Sequence, residues 1–252
     1  MSMNFYIHQR GVCGLGNFVN TTPTIIRLFE HFEKRVPVYF DTVAIKELYK
    51  DWDHILVLDK PAGNMLCDTC QYMNHEEREY ITRCVSVLKK LNIPGKRIPH
   101  TFVPVDALQS VVDGRYVVVI KGCNKDSIWQ DKKNVSNQVY DTILTRVGHK
   151  KIFVGNSHDY QLWLKHFRYL IDAEFVLDDI KRAVALISGC EFVISNDTGL
   201  YHVAGALGKR IFVMWKDTPF IKNKSPGVRC FFSHKDNWVN DFERFLKSNI
   251  KL

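Results

Sequence analysis

No apolar run in this 252-residue chain approaches the roughly 18 residues a membrane-spanning helix requires. YVVVI and IFVMW are only strand-sized. The N-terminal MSMNFYIHQRG lacks the long apolar core and small-residue cleavage site of a secretory leader, so none is expected. The seven cysteines are odd in number and show no framework spacing, which excludes a disulfide scaffold and points to free thiols in the cytoplasm. There is no H-E-x-x-H and no paired-carboxylate metal motif. Zinc-finger spacing and a continuous basic helix are missing too, which argues against a dedicated transcription factor. The glycines at 11, 14 and 16 miss the dinucleotide spacing because Val19 stands where the last glycine is needed, and no Lys-Ser/Thr follows to close a phosphate loop.

What is present is ordinary globular composition, 46% hydrophobic and 25% charged, in a length that suits one large α/β domain or two small ones. The net charge of +8 favours an anionic partner: a phosphorylated sugar, a nucleotide, an acidic lipid surface or nucleic acid. The lysines are scattered, with small clusters at Lys121 to Lys133 and Lys209 to Lys224.

Apolar strand-like runs alternate with helical periodicity. MNFYIH, VPVYF and HILVLD read as strands, with a helix from about Phe18 to Lys34 and a short one at TVAIKELYK. Thr22-Pro23 reads as a cap and first-turn pair of the longer helix. Tyr80, Ile81, Cys84, Val85, Leu88 and Leu91 fall at helical spacing. A connector with three prolines, NIPGKRIPHTFVPVD, precedes a second set: RYVVVIKG, a helix near Asn134 to Val147, KIFVG, a helix around Tyr160, AEFVL, the amphipathic DDIKRAVALISGC, EFVIS, RIFVMW and a final helix from about Asn237 to Asn249. The alternation predicts an α/β protein of two Rossmann-like lobes, each with a parallel sheet facing a central cleft. The boundaries expected are 1–110 for the first lobe, 111–235 for the second and 236–252 for a terminal helix. Ligands of such sheets bind outside the carboxyl ends of the strands. GVCGLGN, VLDK, IKGCNK, GNSHD and SNDTG all fall there.

Each of these loops has a chemical and a structural reading. GVCGLGN either brings its backbone close to a ligand or simply makes a tight strand-to-helix turn. In SNDTGLYH, a helix starting near Thr198 or Gly199 would aim free N–H groups and its dipole at a phosphate. Thr198 would add a hydroxyl, His202 one turn later a ring N–H, and Asp197 a grip on a sugar hydroxyl or on His202. The plain alternative is an Asn-Asp cap followed by a histidine at the edge of the core. Cys67, Cys70, His75 and Cys84 form half of a zinc pattern, or else two thiols near a loop. Trp129, beside a basic loop, reads as packing.

Three stretches together carry a resemblance. GLGNFVNTTPTIIRLFEHF is similar to the opening of the lipopolysaccharide heptosyltransferases, glycosyltransferase family 9. LDDIKRAVALISGCEFVISNDTGLYHVAGALGKRIFVMW resembles their C-terminal signature, which Asp197, Thr198, Gly199 and His202 match one for one. VVVIKGCNKDSIW resembles their first C-lobe strand and the glycine loop that faces the donor phosphates. The resemblance implies the GT-B fold and inverting, metal-independent transfer of a sugar from a nucleotide-diphosphate donor, with no cofactor. On this reading the expected donor-binding residues are Gly16, Gly122, Lys125, Asp197, Thr198, Gly199 and His202. The acceptor it implies is a lipopolysaccharide or other surface-glycan precursor, bound on a reduced N-lobe. The basic charge equally fits DNA bearing hydroxymethylated bases.

Two departures stand out. Asn17 occupies the position of the family's aspartate, and an amide cannot take a proton near neutral pH. Ser127 and Ile128 replace the basic residues before Trp129, leaving Lys125, Lys132 or Lys133 to serve. The expectation is that Asn17 orients the acceptor and Asp59, at the end of HILVLD, is the base. A retaining enzyme would need no such base. The competing classes are a nucleotide-sugar-binding module without catalysis and, on fold analogy, a sugar-nucleotide epimerase.

Overall fold

The computed structural model describes residues 3–11, 14–69, 80–95, 98–105, 112, 114–122, 130–157, 160–161, 174–217, 230–234 and 236–248. Among them, one compact unit runs to Pro104 and a second begins at Val105.

The first unit contains β1 (Phe5–Gln9), α1 (Leu15–Phe32), β2 (Val36–Phe40), α2 (Val43–Tyr49), β3 (Ile55–Leu58), β4 (Asn64–Asp68) and α3 (Tyr80–Lys89). Its sheet has the order β3-β2-β1-β4, with every pair parallel. Val36, Val38 and Phe40 alternate with less buried Pro37 and Tyr39, so β2 turns one face to the core. There Phe18 of α1 packs on Phe40 at 5.1 Å and edge-on to Tyr49 of α2 at 4.7 Å.

α1 corrects the reading of Thr22-Pro23 as a helix start: the helix begins eight residues before the proline, at Leu15, and Pro23 lies in its interior. Proline has no N–H for the carbonyl four residues back, which is Val19. Thr22 Oγ1 donates to that carbonyl instead, at 2.7 Å, and accepts the N–H of Phe102 at 2.8 Å. A single hydroxyl therefore repairs the helix and fastens the segment around Phe102 to it.

The second unit contains β5 (Tyr116–Ile120), α4 (Gln130–Lys133), α5 (Asn137–Leu144), β6 (Lys150–Gly155), β7 (Glu174–Leu177), α6 (Ile180–Gly189), β8 (Val193–Asn196), α7 (Gly199–Ala206), β9 (Ile211–Trp215), β10 (Cys230–His234) and α8 (Trp238–Lys247). The order is β10-β9-β8-β5-β6-β7, again all parallel. β5 and β9 are buried at every residue, as strands covered on both faces must be. Phe242 and Phe245 of α8 close the core against Phe192 and Phe212.

The parallel α/β reading holds in each unit. Strands β4 and β10 and the short helix α4 were not anticipated; the helix expected near Asn134 to Val147 is α5, which residues 134–136 separate from α4. The helix expected around Tyr160 lies largely outside the described residues. Strand order reverses between β1 and β4 in one sheet and between β5 and β8 in the other. Such switch points open a crevice at the carboxyl ends of the two strands.

Candidate functional site

At the β5/β8 switch point one side chain organises three loops. Asn196, the last residue of β8, is fully buried. Its Nδ2 donates to Gly122 O at 3.0 Å, just past β5, and to Lys133 O at 2.9 Å, at the end of α4. Gly122 leaves the strand with φ of 128°, a conformation open to glycine and rarely to other residues. The Tyr140 hydroxyl lies 2.8 Å from Ile120 O and 3.4 Å from Asn196 Oδ1. α4 is held by the residues just after β9 as well: Asp217 N–H donates to Lys132 O at 3.0 Å, and Lys216 Nζ to Asp131 O at 2.7 Å. These contacts fix a four-residue basic helix over the strand ends.

That placement brings Lys133 Nζ to 3.1 Å from Asp197 Oδ2. Asp197 is 2% exposed, and a carboxylate so buried requires a cation or several donors. Lys121, also buried, donates to Asn134 Oδ1 at 3.2 Å and lies 5.3 Å from the centre of the Tyr140 ring. Thr198 is the N-cap of α7, its Oγ1 accepting from Tyr201 N–H at 3.4 Å. Its own hydroxyl hydrogen can be donated to a ligand. Gly199 opens the helix, where N–H groups and the dipole favour an anion. His202 follows one turn later, 7% exposed, with its ring 4.6 Å from that of Tyr201.

The structure thus brings Gly122, Asp197, Thr198, Gly199 and His202 to one switch point. Lys125, like Ser127, Ile128 and Trp129, lies outside the described residues, as do Cys70 and His75. Asn196, Lys121 and Tyr140 were missed. Asn196 had a signal: an amide closing an apolar strand has backbone carbonyls to bind.

Gly16, Asn17 and Asp59 belong to the first unit. Gly16 is buried in the opening turn of α1. Asn17 is half-buried; its N–H donates to Gly14 O at 3.1 Å and its carbonyl accepts from Thr21 Oγ1 at 2.8 Å. Asp59 follows β3, the outermost strand, with a fully exposed side chain and Lys46 Nζ 3.9 Å away. A polar cluster that the sequence reading overlooked spans the ends of β1, β2 and β4. His8 Nε2 lies 2.9 Å from Asp41 Oδ1, and Gly11 N–H donates to Asp41 Oδ2 at 3.1 Å. Arg10 Nε is 3.2 Å from Asp68 Oδ2, and Arg10 N–H donates to Thr69 Oγ1 at 3.2 Å. The hydrogen bond from His8 is the main cause that holds the Asp41 carboxyl below its ordinary value of 3.8, with Gly11 N–H and the charges of His8 and Arg10 assisting against partial desolvation. In sequence these residues read only as polar ends of apolar runs: IHQR, YFDT and LCDT.

Burial pushes the Cys84 thiol up to about 11 and the Cys190 thiol up to about 12. Both behave as core residues.

Compared with known proteins, residues 178–235 match the family model for glycosyltransferase family 9 (heptosyltransferase). Lipopolysaccharide heptosyltransferase 2 of Escherichia coli (strain K12) is 26% identical over 165 residues, 63% of this chain. The chain spans 40% of the length of that curated relative. Among solved structures, E. coli heptosyltransferase WaaC with ADP superposes with a TM-score of 0.74 at 10% identity, covering 97% of this chain and 99% of that one. The family 9 glycosyl transferase from Veillonella parvula DSM 2008 gives 0.73 at 10% identity, covering 98% and 97%. At such identity the likeness is one of fold. Among the described residues no helix is long and apolar enough to cross a membrane. The resemblance read from the sequence is thereby shown: residues 178–235 carry the signature of glycosyltransferase family 9, in a chain with the α/β fold of the heptosyltransferases.

Proposed function

We propose that this protein is a cytoplasmic glycosyltransferase that moves a sugar from a nucleotide-diphosphate donor to a hydroxyl of a lipopolysaccharide or related glycan precursor. The observation that carries the reading is the β8–α7 junction, where Asp197, Thr198, Gly199 and His202 meet Lys133 inside the segment that matches the family. The helix N-terminus, the Thr198 hydroxyl and Lys133 supply the positive potential that a diphosphate leaving group needs, without a divalent cation. Asp197 is placed to hold a sugar hydroxyl once the donor draws Lys133 toward its phosphates. In the first unit, Asn17 positions the acceptor hydroxyl through hydrogen bonds.

The test is calorimetric titration with ADP, followed by incubation with ADP-heptose and lipopolysaccharide that lacks heptose. ADP binding, with transfer that continues in excess EDTA, is the expected result. Absence of ADP binding overturns the donor site. Donor that binds intact and is never cleaved identifies a binding module, the reading that Asn17 favours. Transfer to hydroxymethylated DNA in place of the glycan moves the acceptor class.

A further inference from the structure

The reaction proposed above requires a proton acceptor, and position 17 supplies only an amide. The carboxyl ends of the first sheet contain another candidate. His8 is the penultimate residue of β1, in register with Tyr39 on β2 and with Asp68 on β4, so it stands beside the β1/β4 switch point. Its Nε2 is 2.9 Å from Asp41 Oδ1, and its side chain keeps 18% of its surface exposed. The same carboxylate accepts the N–H of Gly11, at the start of the loop that leads to Asn17. Asp59 follows the edge strand β3, with β2 between that strand and β1.

We infer that His8 and Asp41 form a catalytic base dyad for the acceptor hydroxyl. This rests on the transferase reading and adds to it the identity of the base. With Nε2–H donated to Asp41, the imidazole lone pair is on Nδ1, the nitrogen that accepts a proton. As the acceptor oxygen forms its bond to the anomeric carbon, its proton passes to Nδ1. The bond from the anomeric carbon to the diphosphate breaks, and its electron pair leaves on the phosphate oxygen. The imidazolium then returns the proton to water. Asp41 is a positioning residue: it fixes the tautomer and stabilises the imidazolium, while Gly11 N–H holds the carboxylate in place. The other groups facing His8 are the Tyr39 ring at 5.1 Å, the Tyr6 ring at 6.3 Å, and Asp68, which is paired with Arg10.

The experiment measures ADP release from ADP-heptose, with heptose-free lipopolysaccharide and with water alone as acceptor, for the wild type, His8→Gln, Asp41→Asn and Asp59→Asn. ADP binding and thermal unfolding are recorded for each. His8→Gln is expected to lower kcat by about 10²–10⁴-fold with ADP affinity retained, the usual share of a general base. The acid limb of the wild-type kcat/KM profile should disappear in His8→Gln and be displaced in Asp41→Asn, which a purely structural contact would not cause. The tautomer is read separately from the ring nitrogen shifts of His8 by NMR, where Nδ1 should be the unprotonated nitrogen. A folded His8→Gln protein with wild-type kcat overturns the dyad, as does a loss confined to Asp59→Asn. A wild type that binds ADP but releases none from ADP-heptose with either acceptor overturns the transferase reading itself.

Discussion

Lys133 Nζ stands 3.1 Å from Asp197 Oδ2, a partly exposed lysine against a carboxylate that is 2% exposed. Asp197 is nearly sealed from water, and α4 delivers its lysine because Asn196 and Asp217 hold the carbonyls of Lys133 and Lys132. Lys133 keeps 19% of its side chain exposed, so its loss costs less than breaking a fully buried pair, about 1–3 kcal/mol. Lys133→Met should therefore lower the stability of the second unit by about that amount and weaken ADP binding too, while Lys133→Arg should restore part of both. Chemical denaturation and calorimetry check this. A Lys133→Met protein of unchanged stability and affinity would mean that the pair contributes nothing at the site.

Asn196 makes a separate prediction. Asn196→Ala leaves Gly122 O and Lys133 O without their buried donor, each worth about 1–3 kcal/mol. Because the two carbonyls belong to different loops, donor affinity should fall with stability even though Asn196 itself need not touch the ligand. Hydrogen exchange should show the segments around Gly122 and Lys133 losing protection together. Independent behaviour of the two segments would sink the clamp.

The hydroxyl of Thr22 can be tested against the proline it serves. Thr22→Val keeps the shape and removes the donor to Val19 O and the acceptor for Phe102 N–H, so it should cost about 1–3 kcal/mol. Pro23→Ala should change stability less, because the N–H it restores meets a carbonyl already satisfied. Denaturant midpoints at constant m-value compare the two. A larger loss for Pro23→Ala would reverse this account of α1.

How far the sequence could be read depends on whether a residue's partner is close to it in the chain. β5 and β9 are uniform apolar runs of strand length, and period alone reveals them. The Asp197-to-His202 stretch lies within one strand-turn-helix unit, so its geometry follows from local rules. β4 was overlooked because NMLCD is short and only partly apolar, and its cysteine invited a metal reading. Pro23 misled because the hydroxyl that repairs the helix is a tertiary as well as a local device. His8 with Asp41, and Asn196 with Gly122, join residues 33 and 74 positions apart. Only strand order brings such pairs together.

Acidification should act on Asp41. Its carboxyl titrates below 3.8 in the folded protein, so the His8–Asp41 contact adds stability at pH values above 3.8 and loses it as pH falls through the lower folded value. Asp41→Asn should accordingly be less stable than the wild type at pH 6, with the difference shrinking below pH 3.8 and vanishing once the wild-type carboxyl is protonated. Unfolding midpoints across that range read the effect. A difference that persists undiminished at the acid end would assign it to packing rather than to charge.

The last prediction concerns His202, whose burial leaves its two sequence readings as competitors. If its ring donates to a diphosphate oxygen, His202→Ala should weaken ADP binding by about 1.5–3 kcal/mol, the range for hydrogen bonds to charged groups. Adenosine, which has no phosphate, should then bind the variant and the wild type equally. If the ring is a core-edge residue packed on Tyr201, the substitution instead opens a cavity, and the loss appears in the thermal midpoint while ADP affinity stays the same. Because the residue is only 7% exposed, some loss of stability is expected in either case, so the deciding measurement is the ADP-to-adenosine ratio. His202→Gln sharpens the comparison, since its amide N–H can reach an oxygen near the one the ring addresses. Recovery of ADP affinity in His202→Gln, with the ratio restored, would establish the phosphate contact. A ratio that matches the wild type in His202→Ala would remove His202 from the donor site and leave Thr198, Gly199 and Lys133 to hold the diphosphate.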